Sequence, residues 1–120
     1  MPQPNLLGYA AALAAYRDGE PWRQALLGTL RSNAEQVRRT VNEEIPGLAT
    51  GVVEATYLAW IDAQALAHAD PCALFTDFGL ALSDGATFGA PGFVRLNFGC
   101  PMPLLKEGLQ RLARAATSRK

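Results

Sequence analysis

The sequence predicts an α+β domain: a small sheet of three to four strands with helices packed on one face, preceded by a long helix. Three observations carry this expectation. Apolar residues recur at spacings of three and four over residues 21–44 and again over 103–116, the mark of helices with one buried stripe. "FVRLNFG" (93–99) alternates instead with a period of two, as a half-covered strand does. Glycine and proline at Gly19, Pro21, Pro46, Gly47, Pro71 and Gly79 then cut the chain into segments of ordinary element length. At 120 residues the length predicts one domain, 1–120, large enough to bury a modest core without disulfides or metals.

Residues 5–18 read as a first helix, with Asn5 as its cap and Leu6, Tyr9, Ala10, Leu13 and Tyr16 on one side. Pro21 suits the opening turn of a second helix, where its missing N–H costs nothing. That helix runs to about Glu44, with Trp22, Leu26, Leu27, Leu30, Ala34, Val37 and Val41 forming its stripe, and Pro46–Gly47 ends it. More than twenty residues is long for so small a domain, which suggests a helix spanning two domains. "ATYLAWID" (55–62) is rich in aromatic and β-favouring residues and reads as a strand. Asp70–Pro71 opens a short helix over "CALFTDF" that Gly79 closes. "LALS" (80–83) reads as a short strand and "DGATFGAPG" as a glycine-rich turn before the strand at 93–99. Pro103 starts a last helix with Leu105, Leu109, Leu112 and Ala116 inward, Glu107 in register with Arg111, and Arg114, Arg119 and Lys120 late in it, where the helix dipole favours cations.

Composition removes several function classes. Net charge is zero, so neither nucleic acid nor an anionic membrane is an expected partner. Two cysteines, Cys72 and Cys100, do not make a secreted disulfide framework and suit a reducing compartment. No basic residue precedes Arg17, and the alanine-rich opening is interrupted by Pro2 and Pro4. No export signal or spanning helix is read, so a cytoplasmic protein is expected.

One residue stands out. Residues 40–94 hold seven carboxylates and no cation, and between Arg39 and Lys106 the only Lys or Arg is Arg95. Alternation puts Val94, Leu96 and Phe98 on the core face of its strand, and Phe93, Arg95 and Asn97 on the other. Arg95 is then either an exposed arginine on a half-solvated sheet or a recognition group, since a planar guanidinium fork suits carboxylate or phosphate. His68, Asp70 and Cys72 in "HADPC" lie close, but a helix-capping turn does not converge three such ligands on a metal. Gly85, Gly89 and Gly92 match neither dinucleotide nor P-loop spacing and read as turn glycines. Nothing brings His68 to Cys100 as a nucleophile pair. Lys106 and Lys120, the two lysines, have solvated-face spacing. No metal site and no catalytic set follow from the residues alone.

Several stretches, in order, resemble the C-terminal small domain of fold-type I pyridoxal-phosphate enzymes: "AAYRDGEPW" (14–22), "IPGL" (45–48), "EATYLAWID" (54–62), "LALSDGATFG" (80–89) and "GFVRLNFGCP" (92–101). The resemblance is greatest to the cystathionine β-lyase-like C–S lyases of the MalY/PatB type. It implies that Arg95 binds the substrate α-carboxylate, with Asn97 a further candidate substrate contact. It also implies pyridoxal phosphate as the cofactor of the parent enzyme, and an α,β-elimination releasing pyruvate, ammonia and a thiol. The Schiff-base lysine, the aspartate for the pyridinium nitrogen and the phosphate-binding groups of relatives lie in a large preceding domain. No residue here matches them, so the isolated chain is expected to hold no cofactor and to be inactive alone. The expected partners are that large domain, an amino-acid substrate carboxylate and further copies of the chain. Ala55, Gln64 and Met102 depart from the family pattern, which bears on substrate preference. Two other readings stay open: the small domain of an aminotransferase, which shares the carboxylate arginine, and a non-catalytic, self-associating module.

Overall fold

The computed structural model describes residues 5–118, so Pro2, Pro4, Arg119 and Lys120 lie outside the described residues. Helix α1 (Leu6–Asp18) starts where Asn5 accepts the Gly8 N–H on its side-chain oxygen at 2.8 Å. That bond satisfies one of the amides a helix start leaves orphaned. Helix α2 (Glu20–Arg39) follows after Gly19, with Pro21 in its first turn. The Gly19 N–H donates to Ala15 O and its carbonyl accepts from the Arg23 N–H, so hydrogen bonding runs through the junction. A π-helical turn, Thr40–Glu44, extends α2 to the expected end near Pro46.

Strands β1 (Ala49–Thr50), β2 (Leu58–Asp62), β3 (Ser83–Asp84) and β4 (Phe93–Asn97) form one antiparallel sheet in the order β1-β2-β4-β3. Helix α3 (Pro71–Asp77) is capped by Asp70, whose carboxylate accepts the Ala73 N–H at 2.9 Å. Helix α4 (Met102–Thr117) closes the fold.

The core lies between one sheet face and the helices. Ala59 and Ile61 of β2 and Val94 and Leu96 of β4 meet Val37 and Val41 at the end of the long helix, Leu74 and Phe75 of α3, and Leu105, Leu109 and Leu112 of α4. Burying such side chains contributes ~1.5–3 kcal/mol each against leaving them in water. The opposite sheet face carries Trp60 and Phe93, and the helical turn Gly85–Phe88 sets Phe88 against Trp60 there.

Several expectations shift. The strand expected over 55–62 begins only at Leu58, because Thr56 takes a left-handed φ of 72° that an extended strand does not contain. "LALS" contributes only Ser83 to a strand. Leu80 instead donates its N–H to Phe75 O, finishing α3, and Leu82 O accepts the Cys72 thiol. The last helix starts at Met102, and its fourth buried position is Ala115, with Ala116 only half-buried. The stripe of α2 is covered in its second half alone: Trp22 and Leu26 are exposed, and α1 buries no residue.

Candidate functional site

The pairing of β2 with β4 and of β4 with β3 decides what surrounds Arg95. Trp60 stands opposite it on one side and Ser83 on the other, while Asp62 faces Phe93 and Leu58 faces Asn97. Alternation turns Leu58, Trp60 and Asp62, with Phe93, Arg95 and Asn97, onto the sheet face that the helices leave open. Val94 and Leu96 are buried, as expected for the other face.

Arg95 is half-buried and makes no ion pair among the described residues. It is not loose. Its Nη2 donates to Ser83 Oγ at 3.1 Å, and its guanidinium carbon lies 4.6 Å from the centre of the Phe88 ring. A cation over an aromatic face is drawn to the ring's negative quadrupole, by ~0.5–1 kcal/mol where the pair is exposed. Phe88 meets the Trp60 ring edge-on at 5.9 Å, and Trp60 stacks on Phe93 at 5.8 Å. The guanidinium thus stands at the end of a three-ring array and, among the described residues, commits one of its five N–H donors.

Phe88 reaches this position through the turn at 85–89. Asp84 accepts the Ala86 N–H at 2.9 Å on its carboxylate, Thr87 Oγ1 donates to Asp84 O, and Ala90 N–H donates to Gly85 O. Gly85 is required there: a Cβ would lie 2.5 Å from both Ala90 O and Phe93 O. Gly89, at φ 80°, ends the turn in a conformation that glycine adopts without strain.

Beside this array the same face opens into a concavity of about 520 Å³, lined by Thr50, Val52, Glu54, Trp60, Asp62 and Phe93. Asn97 lies on the face but is engaged elsewhere: its carboxamide oxygen accepts the Gly99 N–H at 2.9 Å, turning the chain out of β4. That places it beside Arg95 as a turn residue, with only its amide nitrogen left for a ligand.

The other candidates resolve into turns and caps. His68 Nδ1 lies 2.8 Å from Asp70 O, Asp70 caps α3, and the Cys72 thiol donates to Leu82 O at 3.4 Å. Burial, and then the Asp84 and Asp70 carboxylates, push the Cys72 thiol up from its ordinary value, against nucleophilic use. No hydrogen bond joins His68 to Cys100 among the described residues. Lys106 stands exposed on α4, in the helical layer that packs against the sheet face opposite Arg95.

Sequence reasoning missed Ser83, Phe88 and Trp60 as neighbours of Arg95. The available signal was the isolation of the arginine itself. A half-buried cation needs partners, and the flanking strands are where they must come from.

Known proteins share both sequence and fold with this chain. MalY of Escherichia coli is 37% identical over 93% of the chain, a match covering 30% of MalY. The crystal structure of OvoB superposes on the whole chain with a TM-score of 0.94 and 48% identity, over 31% of that protein. The pyridoxal-phosphate-bound C–S lyase of Staphylococcus hominis, complexed with L-cycloserine, aligns over 98% of this chain and 30% of its own, with a TM-score of 0.88 and 30% identity. This chain is homologous to the pyridoxal-phosphate-dependent C–S lyases. It spans about three tenths of the length of the curated relatives it matches. No protein-family model matches it. The α+β layer is the fold of the matching portion of those C–S lyases, as the resemblance implied.

Among the described residues, no lysine is placed to form the Schiff base of the C–S lyase cofactor. A Schiff base to pyridoxal phosphate needs an amine beside the substrate, and the one described lysine, Lys106, is on the wrong side of the sheet. No helix of the described residues is long and apolar enough to cross a membrane.

Proposed function

We propose that this chain is the small domain of a pyridoxal-phosphate-dependent C–S β-lyase of the cystathionine β-lyase type, and that Arg95 receives the α-carboxylate of its amino-acid substrate. The observation that carries this is a half-buried guanidinium on an open sheet face, held by a hydroxyl and a ring but by no carboxylate. A fixed fork of this kind binds a carboxylate in two-pronged fashion. Asn97, next along the same face, is a secondary contact through its amide nitrogen. The cofactor belongs to a large domain that partners this one, the isolated chain holds none, and the assembled enzyme works in the cytoplasm. Mixed with pyridoxal phosphate and dialysed, the chain alone is expected to stay colourless; retained stoichiometric visible absorbance would contradict that.

The test of function is pyruvate release from cystathionine by the chain joined to its cofactor domain. Arg95→Ala removes one side of a hydrogen-bonded charge pair, a loss of ~2–5 kcal/mol. At ~1.4 kcal/mol per decade this is roughly a thirty- to several-thousand-fold fall in kcat/KM. Arg95→Lys restores little, since an ammonium lacks the planar fork. Wild-type activity in Arg95→Ala would end the proposal, and keto-acid exchange without pyruvate release would move it to an aminotransferase.

A further inference from the structure

Deepening that reading and resting on it, we propose that Ser83 and Phe88 are positioning residues for Arg95, and that segment 83–89 is a prebuilt shelf fixing the plane of its guanidinium before substrate arrives. An arginine side chain on an open sheet face has several rotatable bonds, and a two-pronged carboxylate contact demands one orientation of the fork. Two contacts of different kinds supply it. The Ser83 hydroxyl accepts from Nη2 at 3.1 Å, which fixes the end of the group. The Phe88 ring lies under the guanidinium carbon at 4.6 Å, which restricts its tilt. Neither contact neutralises the charge, so the site stays cationic, and most of its N–H donors remain for the ligand.

The shelf is itself rigid. Asp84 and Thr87 bond the turn internally, Gly85 lets it press onto β4 at a distance no side chain allows, and the Trp60 ring meets Phe88 edge-on at 5.9 Å. An ion-pairing residue in place of Ser83 would hold Arg95 as well but would compete with the substrate for it. A hydroxyl and a ring position the group without that competition.

Arginine side-chain NMR on the 120-residue chain tests the shelf directly. In the wild type, Arg95 Hε is expected to be shifted by the ring current of Phe88 and its Nη groups to rotate slowly. Phe88→Leu should abolish the ring shift and Phe88→Tyr retain it. Ser83→Ala should speed the rotation and Ser83→Thr keep it slow, with backbone amide spectra otherwise unchanged in all four. In the chain joined to its cofactor domain, Ser83→Ala and Phe88→Leu should each raise KM for cystathionine roughly two- to tenfold, the worth of one lost hydrogen bond or ring contact, with kcat nearly kept. An Arg95 spectrum indifferent to Ser83→Ala and Phe88→Leu would overturn the shelf. So would unchanged KM in both variants while Arg95→Ala is inactive, and that result would leave the carboxylate reading standing. Full activity of Arg95→Ala, with Arg95 ordered by NMR, would remove the carboxylate reading and leave the shelf intact.

Discussion

At the scale of single residues, Asn33 is the other polar group whose placement matters. It is fully buried in α2, and its Nδ2 donates to Phe98 O at 2.9 Å and Cys100 O at 2.8 Å, tying the helix to the turn that follows β4. Its Oδ1 has no partner among the described residues. Replacing it with leucine removes one orphan acceptor but leaves the half-buried Cys100 carbonyl without its donor, while Phe98 O keeps the Cys100 N–H at 2.9 Å. An unsatisfied buried group costs ~1–3 kcal/mol, so Asn33→Leu should lose roughly 1–3 kcal/mol. A urea midpoint unchanged from wild type would refute this. The sequence analysis did not single it out, since its hydrogen-bond partners lie more than sixty residues away in the chain. Arg95 is the converse case. Charge isolation and strand alternation marked it, while Ser83 and Phe88 became visible as its neighbours only once the register of β3 and the fold of the glycine-rich turn were known.

At the scale of elements, local signals located the helices well, because caps and stripes are written in adjacent residues: Asn5, Pro21 and Asp70 each open a helix where expected. The sheet edges were less legible. β1 and β3 are two residues each, and their pairing is decided by β2 and β4 rather than by their own composition. The start of α2 offers a pH test. The hydrogen bond from Arg23, and then that from Gln24, hold the Glu20 carboxyl at about 2 against an ordinary value of 4.5. A depressed carboxyl contributes stability that is complete above the unfolded value and is lost as pH falls toward the folded one. The α1–α2 junction should therefore loosen between about pH 4.5 and about pH 2. Glu20→Gln should exchange first-turn amides faster than wild type at pH 6, and the two should converge as the pH approaches that lower value. A difference that persists at the acid end would show that Glu20 acts otherwise than through its charge. Glu20 is exposed, so the effect is local fraying and not global unfolding.

At the scale of the whole molecule, the chain is more extended than a compact domain of its length. The radius of gyration is 17.5 Å, against about 14 Å for a compact chain of this length. Accessible surface is 8151 Å², where a folded monomer of 12.8 kDa exposes about 6,300 Å². The excess of roughly 1,900 Å² is as large as the whole area buried in a standard protein interface, which is ~1,200–2,000 Å². Much of it lies on α1 and the first turns of α2, where Leu6, Leu7, Tyr9, Leu13, Tyr16 and Trp22 are all more than half exposed. The sequence hinted at this through the length of the second helix. It could not say which apolar residues go uncovered, because a stripe looks the same whether its partner is present or missing. Left alone, such a surface lowers its free energy by pairing with itself. The isolated chain should therefore sediment as concentration-dependent oligomers, and Leu13→Glu with Tyr16→Lys should shift it toward monomer without changing the core. Under the proposed function, the same double substitution in the chain joined to a cofactor domain should weaken docking and lower activity, because Arg95 would no longer be held beside the substrate carboxylate. A wild-type chain that stays monomeric at high concentration would mean that α1 folds back or frays in solution, and the case for an interface there would fall with it.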